Sequence, residues 1–535
     1  MKTFVSCAVI MPLLLATTGV SLDAACPAPS VAQGGQCVLR SDATIANTIW
    51  IPSNTTLDCQ GHRILPAVAG VLDNPGTTTN EFQPSAPELA MFVHQAQNVT
   101  IQNCVISGFD FGIIVAQSKN SSPARTSAIV NKIVANTIDV RTNPIDIINS
   151  DDVLVTGNRI TYASERGRGV VVDFNSDYNQ IIANSITSTG AASTGQVRQL
   201  PGGPFVTSTA IMDNKIHCLQ SDKPLQNFVV SGTLFQVPSG VPNTKMEDTA
   251  RSDHNLISLN NIVGLSAGTT CTLDPTTSCT ADTDCTGKGS CLLKQDSGVA
   301  FNIRASDTTV AGNAFSGHMI RGISFGGTAA VFTLASWYPG KCTLNANRIC
   351  SMDSDCNIPG YDTTNLGPCT GAQSATFDGN TMRLTAEANV LSGQYDTAAL
   401  FANNTDTFTF QGNLVNGGVA GIEVNSTGIN GTIQRNIVSG ATNALHLDSQ
   451  PTFTQNIQLN DFKNYSVAIQ TSNDFTTHTD IAVEKGNYWG LPCPGFDPSR
   501  VQYQNGSVNP NVVDGKPYGQ PVALIPDPFL PKPCQ

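Results

Sequence analysis

Two sets of residues in this 535-residue chain have the types and spacing for chemistry. The first is Asp146 and Asp173, with Arg141, Arg166 and Arg168 shortly before them. If the segments holding the two aspartates stack as strands, carboxylates and guanidinium groups from adjacent turns meet on one surface. A cation beside a uronate carboxylate stabilises the enolate-like charge that forms when the C5 proton leaves. An Arg or Lys that has lost its proton can then act as the base. A solvated ion-pair cluster is the plainer alternative for the same residues. The second set is Glu423, His446 and Asp448. Histidine changes charge near neutrality and a neighbouring carboxylate orients it, so this set has the composition for acid–base catalysis. Its alternative is an ordinary satisfied surface histidine.

A repeat must position both sets. Alternating residues, then Asn, then an apolar or small residue recur at Asn103, Asn136, Asn158, Asn184, Asn260, Asn313, Asn380, Asn413, Asn436 and Asn460. Spacings include 22 from Asn136 to Asn158, 26 to Asn184, 23 from Asn413 to Asn436 and 24 to Asn460. A period of this size means a solenoid. Between the asparagines lie short β-branched or alternating runs such as Val170–Asp173 and Ala444–Asp448, separated by Gly, Asn, Asp and Ser. Those are strands and turns. The asparagines fit bends, because Asn tolerates left-handed backbone and its amide can hydrogen-bond up the stack. Aligning the strands gives an inward row of Ile113, Ile145, Val170, Val299, Ile323, Ile422 and Leu445. The next, outward, row is Ile114, Asp146, Val171, Ala300, Ser324, Glu423 and His446, and a second outward row adds Asp173, Asn302 and Asp448.

This pattern resembles the right-handed parallel β-helix superfamily, the pectin-lyase-like and carbohydrate-associated repeat proteins. The likeness runs over roughly residues 40–490. It includes Leu57-Asp58-Cys59-Gln60-Gly61-His62 near the start and Gly486-Asn487-Tyr488-Trp489-Gly490 near the end. The resemblance implies an all-β solenoid and a carbohydrate as partner. It carries over no catalytic residues. Asp151-Asp152 has no Gly-His-Gly or Arg-x-Lys partner of a polygalacturonase-like site, the pectate-lyase calcium cluster is not legible, and the epimerase Asp-Pro-His-Asp motif is missing. A copper-handling branch shares the Asn-Tyr-Trp-Gly motif, but the seven His are scattered.

Composition narrows the rest. Asp and Glu total 40 against 28 Lys and Arg, a net charge of −12, which argues against nucleic acid as partner. Residues 1–24 read as a signal peptide, and no later run is long and apolar enough to span a bilayer. The expected organisation is an N-terminal cap over 25–62, a β-helix over 63–490 and a Pro-rich C-terminal cap over 491–535. Fifteen cysteines follow the signal peptide. In an exported chain they should be oxidised, leaving one free, with Cys218 or Cys104 the candidates. Cys271, Cys279, Cys285 and Cys291 form one insertion, and Cys342, Cys350, Cys356 and Cys369 a second of similar spacing. Each suits two disulfides of undetermined pairing rather than zinc. Asp282, Asp284, Asp353 and Asp355 could hold Ca²⁺, although the acidic count falls short of a calcium loop. Cys493 with Cys534, and Cys26 with Cys37, should pin the caps. The expectation is a secreted or periplasmic monomeric protein that binds a polysaccharide and cleaves a uronic-acid polymer by β-elimination. The alternatives are a non-catalytic adhesin or envelope-structure protein and a copper-handling accessory protein.

Overall fold

The computed structural model describes most of residues 26–534; the main stretches outside the description are 68–88, 119–130, 164–168, 190–251 and 351–366, with shorter breaks between. The described chain winds as a parallel β-helix. Its first face is one 13-stranded sheet that includes Thr56–Asp58, Val99–Gln102, Val153–Thr156, Thr308–Ala311, Thr407–Gln411 and Asn456–Gln458. Beyond one antiparallel cap strand, Val31–Gln33, every neighbour in it is parallel, from Cys37↔Leu57 to Ile433↔Ile457. The second face stacks Val105–Ser107, Thr137–Val140, Arg159–Ala163, Leu414–Asn416 and Asp461–Lys463, among others. The third face carries Phe111–Ala116, Ile145–Ile148 and Val170–Asp173 in one block. A later block holds Ala420–Asn425, Asn443–Leu447 and Val467–Thr471. Two long strands, Ala314–Phe325 and Val390–Ala402, bend across a corner and belong to the second face first and the third face afterwards. Among the described residues the helical pieces are 3-10 turns, Pro498–Arg500 and Asp527–Phe529.

Alternation puts Ile, Val, Leu and Phe inside on all three faces. Phe401 and Phe408 stack at 4.1 Å, and Phe462 stacks on Trp489 at 4.4 Å. A polar ladder runs along the corner between the first two faces. Asn136, Asn158, Asn184, Asn260, Asn313, Asn389, Asn413, Asn436, Asn460 and Asn487 are all buried there. Each amide donates to the next lap's Asn Oδ1 at 2.9–3.0 Å, and each backbone N–H goes to that same oxygen. The run ends on Asp514, whose Oδ2 accepts from the Asn487 backbone, the Asn487 amide and Trp489 Nε1. A carboxylate only accepts, so it closes a file of donors without demanding a further partner.

Four expectations need correction. The left-handed residue is not the ladder Asn but the one before it: Ala135, Gly157, Ala183, Leu259, Gly312, Ala388, Gly412, Arg435 and Leu459 all have φ between 53° and 65°. The Asn is held inward by its hydrogen bonds, and the strain falls on its neighbour. Asn103 is off the ladder by one residue; Cys104 takes the place, its N–H bonding Asn136 Oδ1. Cys104 is not free but bonded to Cys59 on the lap below, with Cα atoms 4.7 Å apart. Finally, the ladders run past Gly490: Val501–Tyr503 adds a third-face strand on Val467–Thr471, because this stretch holds no proline. Asn380 and Cys218 lie outside the described residues. Cys26–Cys37 and Cys493–Cys534 pin the two ends as expected.

The two insertions are copies in backbone as well as sequence. In each, a short central strand pairs antiparallel with two others, aligning Cys271 with Cys291 and Cys342 with Cys369. Cys350 lies on the strand Asn345–Cys350, while Cys279, Cys285, Cys356 and the four candidate calcium aspartates lie outside the described residues.

Candidate functional site

The third-face rows stack in the expected register. Ile113, Ile145 and Val170 align, as do Ile323, Ile422 and Leu445 through an intervening Ala399. The outward row accordingly runs Ser324, Leu400, Glu423, His446, Gln470 and Gln502. Leu400 was the lap that sequence reasoning missed. The strand Val390–Ala402 has no turn signal to mark where its third-face half begins.

Glu423 and His446 sit on consecutive laps, and Asp448 lies two residues beyond His446. Parallel stacking therefore brings all three together. Glu423 Oε2 lies 4.0 Å from His446 Nδ1, and Asp448 Oδ1 lies 4.0 Å from His446 Nε2. The imidazole is thus flanked by carboxylates at both nitrogens, beyond direct hydrogen-bond length. Side-chain exposures of 16% for His446, 18% for Glu423 and 30% for Asp448 leave each group reachable but partly desolvated.

The surrounding shell was not anticipated. Thr397 Oγ1 donates to Glu423 Oε2 at 2.6 Å. Gln504 Nε2 donates to Asp448 Oδ1 at 3.0 Å and lies 3.4 Å from His446 Nε2. Asn443 Nδ2 donates to Gln470 Oε1 at 2.9 Å. Thr397 and Asn443 escaped the in–out rule because two successive residues point inward here. Ala398 with Ala399, Gly421 with Ile422, Ala444 with Leu445 and Ala468 with Ile469 are all buried pairs. The residue before each pair therefore faces outward again. The recurring small-then-apolar dyad was the available signal. That row also contains Arg321, paired in register with Thr397 and exposed.

Only part of the first constellation lies among the described residues. Asp146 takes the expected outward row, aligned between Ile114 and Val171, but it is fully buried, with Asn143 Nδ2 3.5 Å away. Asp173 ends the strand Val170–Asp173, while Arg141, Arg166, Arg168 and Asn302 lie outside the described residues. Among the described residues, no group of three or more His, Cys, Asp or Glu side chains is arranged to hold a metal ion. No helix among them is long and apolar enough to cross a membrane.

The terminal Gly486–Gly490 motif is structural. Asn487 is the last ladder asparagine, and Trp489 is buried against Phe462. Gly486 leaves no room for a Cβ against the Lys516 carbonyl. The motif carries the asparagine ladder to its end on Asp514.

No described protein family matches the chain, and no curated protein matches it in sequence. Among solved structures, it is similar to a DFA-IIIase from Arthrobacter chlorophenolicus A6 in complex with GF2. Identity is 9%, and the match covers 79% of this chain and 66% of that one, with a TM-score of 0.29. The chain thus spans just under two thirds of that enzyme's length.

Proposed function

We propose that this is an exported carbohydrate-active β-helix protein that grips an extended polysaccharide along its third face and cleaves a uronic-acid polymer by β-elimination at Glu423, His446 and Asp448. The observation that supports this reading is the imidazole held between two carboxylates 4.0 Å away, beside a row of outward amides. Equivalent positions recur about every 4.8 Å along the stack, so a repeating polymer meets repeating partners. Three disulfides among the described residues suit an oxidising compartment.

In this reading, neutral His446 takes the C5 proton of the uronate, and Glu423 holds the imidazolium that results. The C5–H electrons form the C4=C5 double bond, the C4–O glycosidic bond breaks, and the leaving oxygen takes a proton from water. Arg321, three laps from His446 and so about 14 Å along the stack, would pair with the carboxylate of a neighbouring sugar in the same polymer. Thr397 and Gln504 orient Glu423 and Asp448. Asp146 is less suited to meet a polymer, because it has no solvent exposure. A centre formed by Arg168, Arg166 and Asp173 is the competing location.

A binding-only role, as in an adhesin, is the second reading. It is favoured by the first-face amide column of Gln411, Gln434 and Gln458, in which each Nε2 donates to the lap before, down to Glu387, and which ends on a Gln458 Oε1 unpartnered among the described residues. Incubating the purified protein with polygalacturonate and alginate, and following the absorbance of unsaturated product, decides between them. New reducing ends without that absorbance would mean hydrolysis. Binding with neither signal would mean the adhesin reading. Loss of turnover in Arg168→Ala but not His446→Gln would move the centre to the first constellation.

A further inference from the structure

The corner between the first and second faces carries one left-handed residue per lap, and two leucines in that column have opposite surroundings. Leu459 is 2% exposed, packed under Tyr518 and Val522 of the C-terminal tail. Leu259, in the same backbone geometry, is 66% exposed. Between them the column reads Gly312, Ala388, Gly412 and Arg435. An open trough of about 650 Å³ follows this stretch from Leu259 to Arg435. Its floor is Gly and Ala, so a ligand can approach the backbone closely. Glu387 and Gln411 line it on the first face. On the second face, Val390 and Leu414 border the same corner, each 39% exposed.

The tail shows what this corner binds. Pro521–Pro526 lies along it, next to the trough. Asp461 Oδ1 accepts from the Val522 and Ala523 N–H groups at 2.6 and 3.1 Å. Arg435 Nη1 donates to the Ala523 and Ile525 carbonyls at 3.4 and 2.7 Å. Backbone groups give the hold, and a branched aliphatic side chain sits on the corner leucine. The trough continues that corner on the other side of Arg435, with a second leucine at its far end and with the apolar Leu414 and Val390 at the register positions where the tail meets Asp461.

We propose that the trough is a docking site for an extended, proline-bounded aliphatic peptide segment of a partner protein, seated on Leu259 as Val522 is seated on Leu459. The proposal is independent of the chemistry on the third face. The test titrates the intact protein against a labelled peptide copying residues 518–527 and follows fluorescence anisotropy. Saturable binding is expected, weakened about tenfold or more by Leu259→Glu and by Ala388→Arg, which fills the trough. Arg435 shows that the backbone accepts arginine in this geometry, and both substituted positions are exposed, so the variants should melt as the parent does. A scrambled peptide should not bind. The absence of saturable binding, equal affinity in parent and both variants, or release of the peptide by alginate would each overturn the proposal.

Discussion

Replacing Asn413 by alanine tests whether the buried ladder holds the stack together. Asn413 Oδ1 accepts from the Asn389 backbone and amide, both at 2.9 Å, and its Nδ2 donates to the Ala386 carbonyl and Asn436 Oδ1, both at 3.0 Å. The alanine variant keeps the backbone bond to Asn436, and the Ala386 carbonyl keeps its place in the parallel ladder, but the Asn389 N–H and one Asn389 amide hydrogen are stranded. At about 1–3 kcal/mol for each stranded buried group, the cost is about 2–6 kcal/mol, with water entering the cavity relieving the upper end. Coil stabilities add through nearest neighbours, so the damage should concentrate on the laps of Asn389 and Asn413. The assay is hydrogen exchange read by mass spectrometry on peptides covering Asn389, together with urea unfolding. A loss of about 3 kcal/mol corresponds to exchange about a hundredfold faster where opening limits it. Asn416→Ala, at an exposed position on the same lap, is the control and should stay within about 0.5 kcal/mol of the parent. If Asn413→Ala matches that control and Asn389 keeps its protection, the ladder contributes nothing and the reasoning fails.

Three further outcomes are expected. His446→Gln should lower turnover of a uronic-acid polymer about 10²–10⁴-fold while substrate binding survives, read from kcat against KM; unchanged kcat would remove His446 from the chemistry. Cys59→Ser with Cys104→Ser should cost about 2–4 kcal/mol in urea unfolding, and an unaltered midpoint would show the bond to be dispensable. Burial pushes the Asp514 carboxyl above the usual carboxylate range, against the opposing pull of Trp489, Asn487 and Lys516. A folded pKa raised this way favours the fold fully below about pH 4 and loses that contribution as pH climbs through the raised value. Asp514→Asn should therefore gain in melting temperature on the parent between about pH 4 and neutrality, and a constant difference across that range would refute the assignment.

The winding and the third-face register were readable because both depend on local periodicity. Ile422 and Leu445 face inward, and Glu423 and His446 outward, by the pleat alone. What escaped depended on other laps. Nothing near Asn103 shows that Cys104 rather than the asparagine faces inward, since the evidence for it is the Asn136 oxygen one lap away. Thr397 and Asn443 were hidden by the double inward step that follows them. Gln504 was hidden because it arrives from a lap beyond the point where prolines seemed to end the coil. The burial of Asp146 was equally out of reach, because a strand's pattern gives the side it faces and not what lies over it.

The asparagine file crosses very unequal steps. From Asn389 to Asn413 the chain travels 24 residues, whereas from Asn184 to Asn260 and from Asn313 to Asn389 it travels 76. The bond lengths do not register the difference, staying at 2.9–3.0 Å. An excursion of some fifty extra residues is therefore invisible to the scaffold, provided the chain returns to the same corner. Such a molecule can lengthen by whole turns or sprout appendages between them without redesigning its interior, and its size becomes a quantity that selection can adjust in discrete increments.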